Sequence, residues 1–282
     1  MNGFRMRITK KQVRHLIIYL VLIAGAYFML SPFAMMIGNS FTENVYVIEY
    51  PPRVIPEKPS LGNYDAVWNA NNFKLYFKNS LIVALSSTVL TLFFASLGAY
   101  AFARFKFKGK EIIFWCLLVV MMIPDLLMII PRFDLINKMN IRNSLYGLVI
   151  VYVATGVSGQ TFFLRGFFEQ IPTELEESIL MDGGNYFTIY SRLIIPLSTP
   201  VLATSAIFSF MGFWDEYVWA LTANTDKAVR TLPVVINSFQ GQHSTNWGLV
   251  FAAMLIALVP VIIVFISSAN FIIGGKSEGA FK

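Results

Sequence analysis

NSLIVALSSTVLTLFFASLGAYAFARFKFKGK, residues 79–110, is the stretch on which the reading of this chain turns. Residues 79–103 carry no charged side chain, and Arg104, Lys106, Lys108 and Lys110 follow at once. A helix needs about 20 mostly apolar residues to cross the hydrocarbon core of a bilayer. This run is long enough, and the cations behind it are the kind that resist translocation and stay on the cytoplasmic side.

Working outward, five further segments have the same length and character: roughly 15–38, 112–131, 145–164, 198–221 and 249–273. The expected fold is an all-α integral membrane protein with about six transmembrane helices, forming a single transmembrane domain over 1–282. A membrane barrel would need short alternating segments instead, and these are absent. Composition agrees, with 56% hydrophobic and 13% charged residues, against roughly 45–50% and about 25% in an ordinary soluble domain.

The basic stretch RMRITKKQVRH, residues 5–15, precedes the first span. Its apolar run is longer than a signal core and no small-x-small site follows, so an uncleaved first helix is expected. Arg5, Arg7, Lys10, Lys11 and Arg14, together with the cluster at 104–110, place both termini in the cytoplasm of a multi-pass cytoplasmic-membrane protein. That topology accounts for the net charge of +6 without a nucleic-acid partner. The loop 39–78 would face outward, either as a plain connector or as a receiver of an external partner.

Several chemistries lack their residues. Cys116 is the single cysteine, and His15 and His243 lie far apart in sequence, so no metal site is expected. The tail ANFIIGGKSEGAFK, residues 269–282, imitates a phosphate loop. Gly275, Lys276 and Ser277 fit, but Asn270 stands where the first glycine belongs and a membrane helix precedes it instead of a strand. No nucleotide or other cofactor is expected on this chain, and it is not expected to be an enzyme. The tail reads as a glycine stop with a basic end.

The loop between the fourth and fifth spans, about 165–197, is longer than a turn requires. Thr173 and Glu176 have the spacing of a capping box, and Glu174, Glu176 and Glu177 suit the positive end of a helix. Gly183 and Gly184 end that helix. Asn185 then caps a second one carrying Tyr186, Phe187, Ile189, Tyr190, Leu193 and Ile194 ahead of Pro196. Such a helix-glycine-helix knob either offers apolar area to a soluble partner or lies flat among lipid headgroups. Periodicity leaves both open.

The ordered pattern resembles the inner-membrane permeases of ATP-binding-cassette importers. Their loop reads Glu-Ala-Ala, three residues, Gly, nine residues, Ile-x-Leu-Pro. Here Glu177, Gly183, Leu193, Ile195 and Pro196 fall at those intervals, while Ser178 and Ile179 replace the two alanines. Further segments extend the likeness to the carbohydrate-importing, maltose-like branch: SPFAMMIGNSFTE, FFLRGFFEQIPTELEESILMDGG, FWDEYVWALT and RTLPVVINSF. Arg132 and Asp134 depart from it, at places usually less charged. The resemblance implies a coupling helix seated in a cleft of an ATPase, formed by Glu174, Glu176, Glu177, Ser178, Asp182, Gly183, Gly184 and Pro196. It also implies the partners: a second, non-identical permease, two ATPase subunits that use ATP and Mg, and an external solute-binding protein.

Ionisable groups inside a bilayer are costly and normally face a cavity or a partner. Asp125, Asp215 and Glu216 qualify, with Trp214, Tyr217 and Trp219 around the latter two and Gln160 in the fourth span. Asp125, Gln160, Trp214, Asp215, Glu216 and Trp219 are therefore the candidate solute pathway. Aromatic rings beside carboxylates and amides suit sugars, yet they also suit an interfacial belt. A polyol or glycerol phosphodiester is the alternative solute. The rival class, an ion-gradient carrier, would usually show repeated halves, and none is visible.

Overall fold

The computed structural model describes residues 10–48, 54–70, 72–241 and 244–273, with side chains as far as residue 268. Arg5, Arg7, His243 and the phosphate-loop look-alike lie outside the described residues. Helices make up the described fold, with no strand among them beyond an isolated Gln240–Thr245 bridge.

In chain order the helices are α1 (Lys10–Ser40), α2 (Gly62–Asn69), α3 (Phe73–Arg104), α4 (Lys110–Met122), α5 (Ile129–Lys138) and α6 (Leu145–Phe168). After these come α7 (Glu174–Met181), α8 (Tyr186–Ile189), a π-helical turn (Tyr190–Ile194), α9 (Ile195–Leu197), α10 (Thr199–Trp214), α11 (Val218–Ala223), α12 (Leu232–Ser238) and α13 (Trp247–Ile273). Four of them, α1, α3, α6 and α13 (the last over Trp247–Ser268), are long and apolar enough to cross a membrane. Two bent pairs raise the number to six if each is one span.

One of these bent pairs falls in the third expected span, and a separate break falls in the fifth. The third span is not a continuous helix: α4 stops at Met122, a 3-10 turn runs over Asp125–Met128, and α5 leaves at 96° to α4. Pro124 explains the break, because it lacks a donor and biases Ile123 toward the extended conformation that Ile123 adopts, at φ −79° and ψ 121°. Pro131 falls in the first turn of α5, where proline is tolerated. The fifth span ends at Trp214, and α11 begins anew at Val218.

The chain packs as two compact units, one from the described parts of Met1–Ala70 and Phe239–Ile256, the other from Asn71–Ser238 and the remainder. In the first, α1 exposes most of its apolar length, Tyr27, Phe28 and Met29 being more than 70% exposed. The turn beyond α1 is held by Asn63 Nδ2, which donates to the carbonyls of Ser40 at 2.9 Å and Thr42 at 2.8 Å.

The second unit is organised on α3, which packs along α6 and α10. Its buried face is small and polar, with Ser80, Ala84, Ser87, Thr91, Ala95 and Ala99, while Val89, Phe93 and Phe94 point outward. That inside-out pattern suits a helix whose other face meets lipid, since small residues allow close backbone approach. A Cβ on Gly156 of α6 would come within 3.0 Å of both Thr91 and Phe213. The α3 contact leaves room for a hydrogen atom there and little else.

Candidate functional site

The loop 165–197 folds as a tight elbow. α7 ends in a Schellman motif: Gly184 N–H donates to Ile179 O at 2.8 Å and Gly183 N–H to Leu180 O at 3.1 Å. Gly183 has φ +82°, the left-handed conformation that favours glycine. Gly184 is needed for a different reason. A Cβ there would lie 2.5 Å from Ile179 Cγ2 and 2.8 Å from its carbonyl oxygen, so the isoleucine that replaces alanine is accommodated by a bare neighbour.

Asn185 caps the second helix as the sequence suggests, its Oδ1 accepting from Thr188 N–H at 2.9 Å. The capping box at the start of α7 does not form. Thr173 is helical at φ −70° and ψ −23°, and its side chain makes no cap bond. Glu176 turns inward instead and meets Arg104 at the end of α3, with Nε 2.5 Å from Oε1. The two side chains are only 8% and 12% exposed. In that setting a cation outcompetes an exposed backbone N–H for the carboxylate.

The Arg104–Glu176 contact is an ion pair without an aligned hydrogen bond, and Arg104 Nη2 also donates to Ile171 O at 2.5 Å. Burial pushes the Glu176 carboxyl above its ordinary pKa, and the Arg104 guanidinium pulls it part of the way back. Two further hydroxyls join the same loop to α3. Tyr100 OH donates to Tyr186 O at 3.2 Å, and Ser96 Oγ and Tyr190 OH lie 2.7 Å apart. Beneath them Ala99, Leu164, Phe168, Ile189 and Ile194 form one core cluster.

The opposite face of the elbow is open. Met181 is 87% exposed and Phe187 73%, with Tyr186, Leu175 and Leu180 also exposed. Glu174, Glu177, Ser178, Asp182 and Gly183 are exposed on that solvent side, whereas Gly184 is half-buried and Glu176 is buried. Pro196 sits in the short α9, just past the π-helical turn. The elbow and the cationic turn after Arg104 stand at the same end of α3.

The candidate pathway residues do not converge. Trp214 is 2% exposed, donates from Nε1 to Ala257 O at 3.1 Å and stacks on Phe210. Trp219 is 3% exposed, in a core cluster with Tyr152 and Leu148. Both rings are core. Glu216 caps α11, accepting from Trp219 N–H at 2.7 Å and Ala220 N–H at 2.9 Å, and takes a third bond from Tyr152 OH at 2.6 Å. Asp215 beside it is exposed. Asp125 lies in the 3-10 turn at the bend, 76% exposed and paired with Arg132 at 2.5 Å. Gln160 Oε1 is buried with no partner. Among the described residues no group of His, Cys, Asp and Glu could hold a metal ion.

Sequence reasoning missed Arg104 as more than a topology signal, missed Ser96 and Tyr100 as its companions, and read Tyr190 only as part of the apolar surface of the second helix. The available signal was spacing, because Ser96, Tyr100 and Arg104 recur every four residues on one helical face.

Apolar helices of spanning length, two of them broken in mid-course, together with a compact polar-capped elbow between two spans, define a multi-pass integral membrane protein. The chain belongs to the family of binding-protein-dependent transport system inner membrane components, whose sequence profile matches residues 89–273. It is 34% identical over 251 residues to a putative ABC transporter permease protein of Caldicellulosiruptor, covering 89% of this chain and 91% of that one. The trehalose/maltose transport system permease protein MalG of Thermococcus litoralis is 34% identical, over 93% of this chain and 96% of its own. The sulfoquinovosyl glycerol transport system permease protein SmoH of Agrobacterium fabrum is 30% identical, over 96% and 94%. Among solved structures, a bacterial ABC transporter involved in import of the acidic polysaccharide alginate superposes with a TM-score of 0.80 at 21% identity, over 94% of this chain and 98% of that one. That last likeness is one of fold.

Proposed function

We propose that this chain is a permease subunit of an ATP-driven importer that carries a sugar or oligosaccharide across the cytoplasmic membrane by alternating access. Family membership supports the importer, and the relatives named for trehalose/maltose and sulfoquinovosyl glycerol transport support the solute class. Hydrolysis belongs to two ATPase partners that use ATP and Mg, and an external binding protein delivers the solute. A second, non-identical permease completes the pathway.

The observation that carries the mechanism is the two-faced elbow. Its inner face is fastened to α3 and its outer face exposes Met181 and Phe187, an apolar area suited to a soluble partner. Work enters there, and both termini lie on the same, cytoplasmic, side. Glu177, Asp182 and Gly183 lie within this docking segment, and Gly183 fixes its shape through the left-handed turn. Of the pathway residues, Asp215 is exposed, Gln160 keeps a buried amide oxygen without a partner, and Asp125 is paired with Arg132. Trp214, Trp219 and Glu216 hold the walls.

The test is co-purification of the ATPase subunits with the wild-type chain and with Gly183→Asp. The variant is expected to lose the ATPase, because aspartate at φ +82° distorts the elbow. Retention of a fully active ATPase by the variant would count against the reading.

A further inference from the structure

We propose that Ser96, Tyr100 and Arg104 form a positioning ladder that makes α3 and the elbow one mechanical body, so that motion entering at the elbow leaves through α3. This inference rests on the importer reading above. It adds a route for the motion, which that reading leaves open.

The three residues stand four apart, so their side chains stack along one face of α3. Each meets a different part of the elbow. Arg104 holds Glu176 in α7 and the Ile171 carbonyl just before it. Tyr100 reaches the Tyr186 carbonyl at the start of α8. Ser96 reaches the Tyr190 hydroxyl at the start of the π-helical turn. Ring contacts fill the spaces between these bonds: Tyr100 to Tyr190 at 5.4 Å, Tyr100 to Phe105 at 5.5 Å and Phe105 to Tyr186 at 5.0 Å. An element gripped at its beginning, middle and end cannot swing about any one of the grips.

The covalent connections are softer. Toward α10 the chain passes the π-helical turn and Pro196, and just beyond them, at Ser198, the segment Tyr186–Leu197 meets Thr199–Trp214 at a 76° bend. A π turn and a proline both leave main-chain bonds incomplete, which is where helices yield. Toward α6 the chain passes a short turn with Pro172 and no helix. The elbow is thus tied loosely to its neighbours in sequence and firmly to a helix some 70 to 90 residues earlier, as the Arg104–Ile171 and Ser96–Tyr190 separations of 67 and 94 residues record.

The test uses the assembled importer with its ATPase subunits and binding protein, with Cys116→Ser as background. Nitroxide pairs are placed at Met181→Cys with Phe93→Cys on α3, and at Met181→Cys with Phe208→Cys on α10, all three sites being exposed. Distances are measured without nucleotide and after trapping with ADP and vanadate. The Met181–Phe93 distance should change by less than about 2 Å, the size of an ordinary helix adjustment, while Met181–Phe208 changes by more. Arg104→Met should broaden the Met181–Phe93 distribution and abolish stimulation of ATP hydrolysis by the binding protein, and Arg104→Lys should restore part of it. If Arg104→Met does not assemble, Tyr190→Phe and Ser96→Ala remove one rung at little change in volume, and both should weaken the stimulation. The proposal is overturned if the Met181–Phe93 distance moves as far as Met181–Phe208, or if the rung variants are stimulated like the wild type. A wild-type chain that captures no ATPase and shows no nucleotide response at either pair would remove the importer reading as well.

Discussion

The two ends of α3 are fastened in similar ways and finished differently. At one end Asn79 Nδ2 donates to the carbonyls of Ala228 at 2.9 Å and Arg230 at 3.0 Å, and Ser80 Oγ accepts from Leu232 N–H at 2.7 Å. At the other end Ser96, Tyr100 and Arg104 hold the elbow. Both are polar side chains of one helix satisfying segments far away in sequence. Outward, however, the first segment shows Thr225, Asp226 and Lys227, and the second shows Met181 and Phe187. Water can cover the former at no cost, whereas the latter loses hydrophobic free energy until a partner covers it. The inner fastenings are thus alike in kind, and the two segments differ in the face they turn outward, polar in the first and apolar in the second.

The contrast is broken most severely at the bonded carboxylates Glu216, half-buried, and Glu176, buried. Glu216→Ala orphans two backbone N–H groups and the Tyr152 hydroxyl, and should cost about 3 kcal/mol in thermal or denaturant unfolding of the detergent-solubilised protein. Glu216→Gln should recover much of that loss. A smaller effect would mean that α11 is not held by this cap.

Arg104→Met should cost about 2 kcal/mol, because it leaves the Glu176 carboxylate buried without its cation. It should also change the pH dependence. The folded state already holds a proton on Glu176 more tightly than the unfolded chain does, since burial raises its pKa. The stability penalty is complete above the folded pKa and fades as pH falls toward the ordinary carboxylate value. Removing Arg104 removes the group that lowers that pKa, so the variant should gain more stability on acidification than the wild type, and over a window lying higher in pH. Melting curves between neutral and mildly acidic pH check this, and Glu176→Gln should abolish the dependence.

Gly183→Ala should cost about 1 kcal/mol through the left-handed conformation alone. Gly184→Ala should cost a similar amount through its collision with Ile179, and Ile179→Ala should rescue it only in part, because the carbonyl collision remains. Unfolding of the single and double variants measures the coupling.

Much of this was legible in the sequence, and the remainder was not for definite reasons. Spans were visible because a bilayer demands a long apolar run, and the elbow because Gly183 and Asn185 act through their own backbone neighbourhood. The break at Pro124 is not legible from sequence alone, since a proline permits a bend and packing decides whether it occurs. Glu176 was misjudged because a capping box is a local pattern, and the Arg104 that defeats it lies 72 positions earlier in the chain. Trp214, Trp219 and Glu216 look like a sugar platform in one dimension. Their burial and bonding against α6 and α13 exist only in three.

The smallest expected effect on folding is also the sharpest test of the contrast. Met181→Cys, Phe187→Cys and Lys227→Cys, each in a Cys116→Ser background, should leave stability within about 0.5 kcal/mol, as exposed positions do. Labelling each with a membrane-impermeant maleimide, with and without the ATPase subunits, measures the central claim directly. Met181→Cys and Phe187→Cys should become protected when the ATPase is present, and Lys227→Cys should label equally in both cases. Unchanged labelling at the two elbow positions, or protection at Lys227→Cys in their place, would contradict it.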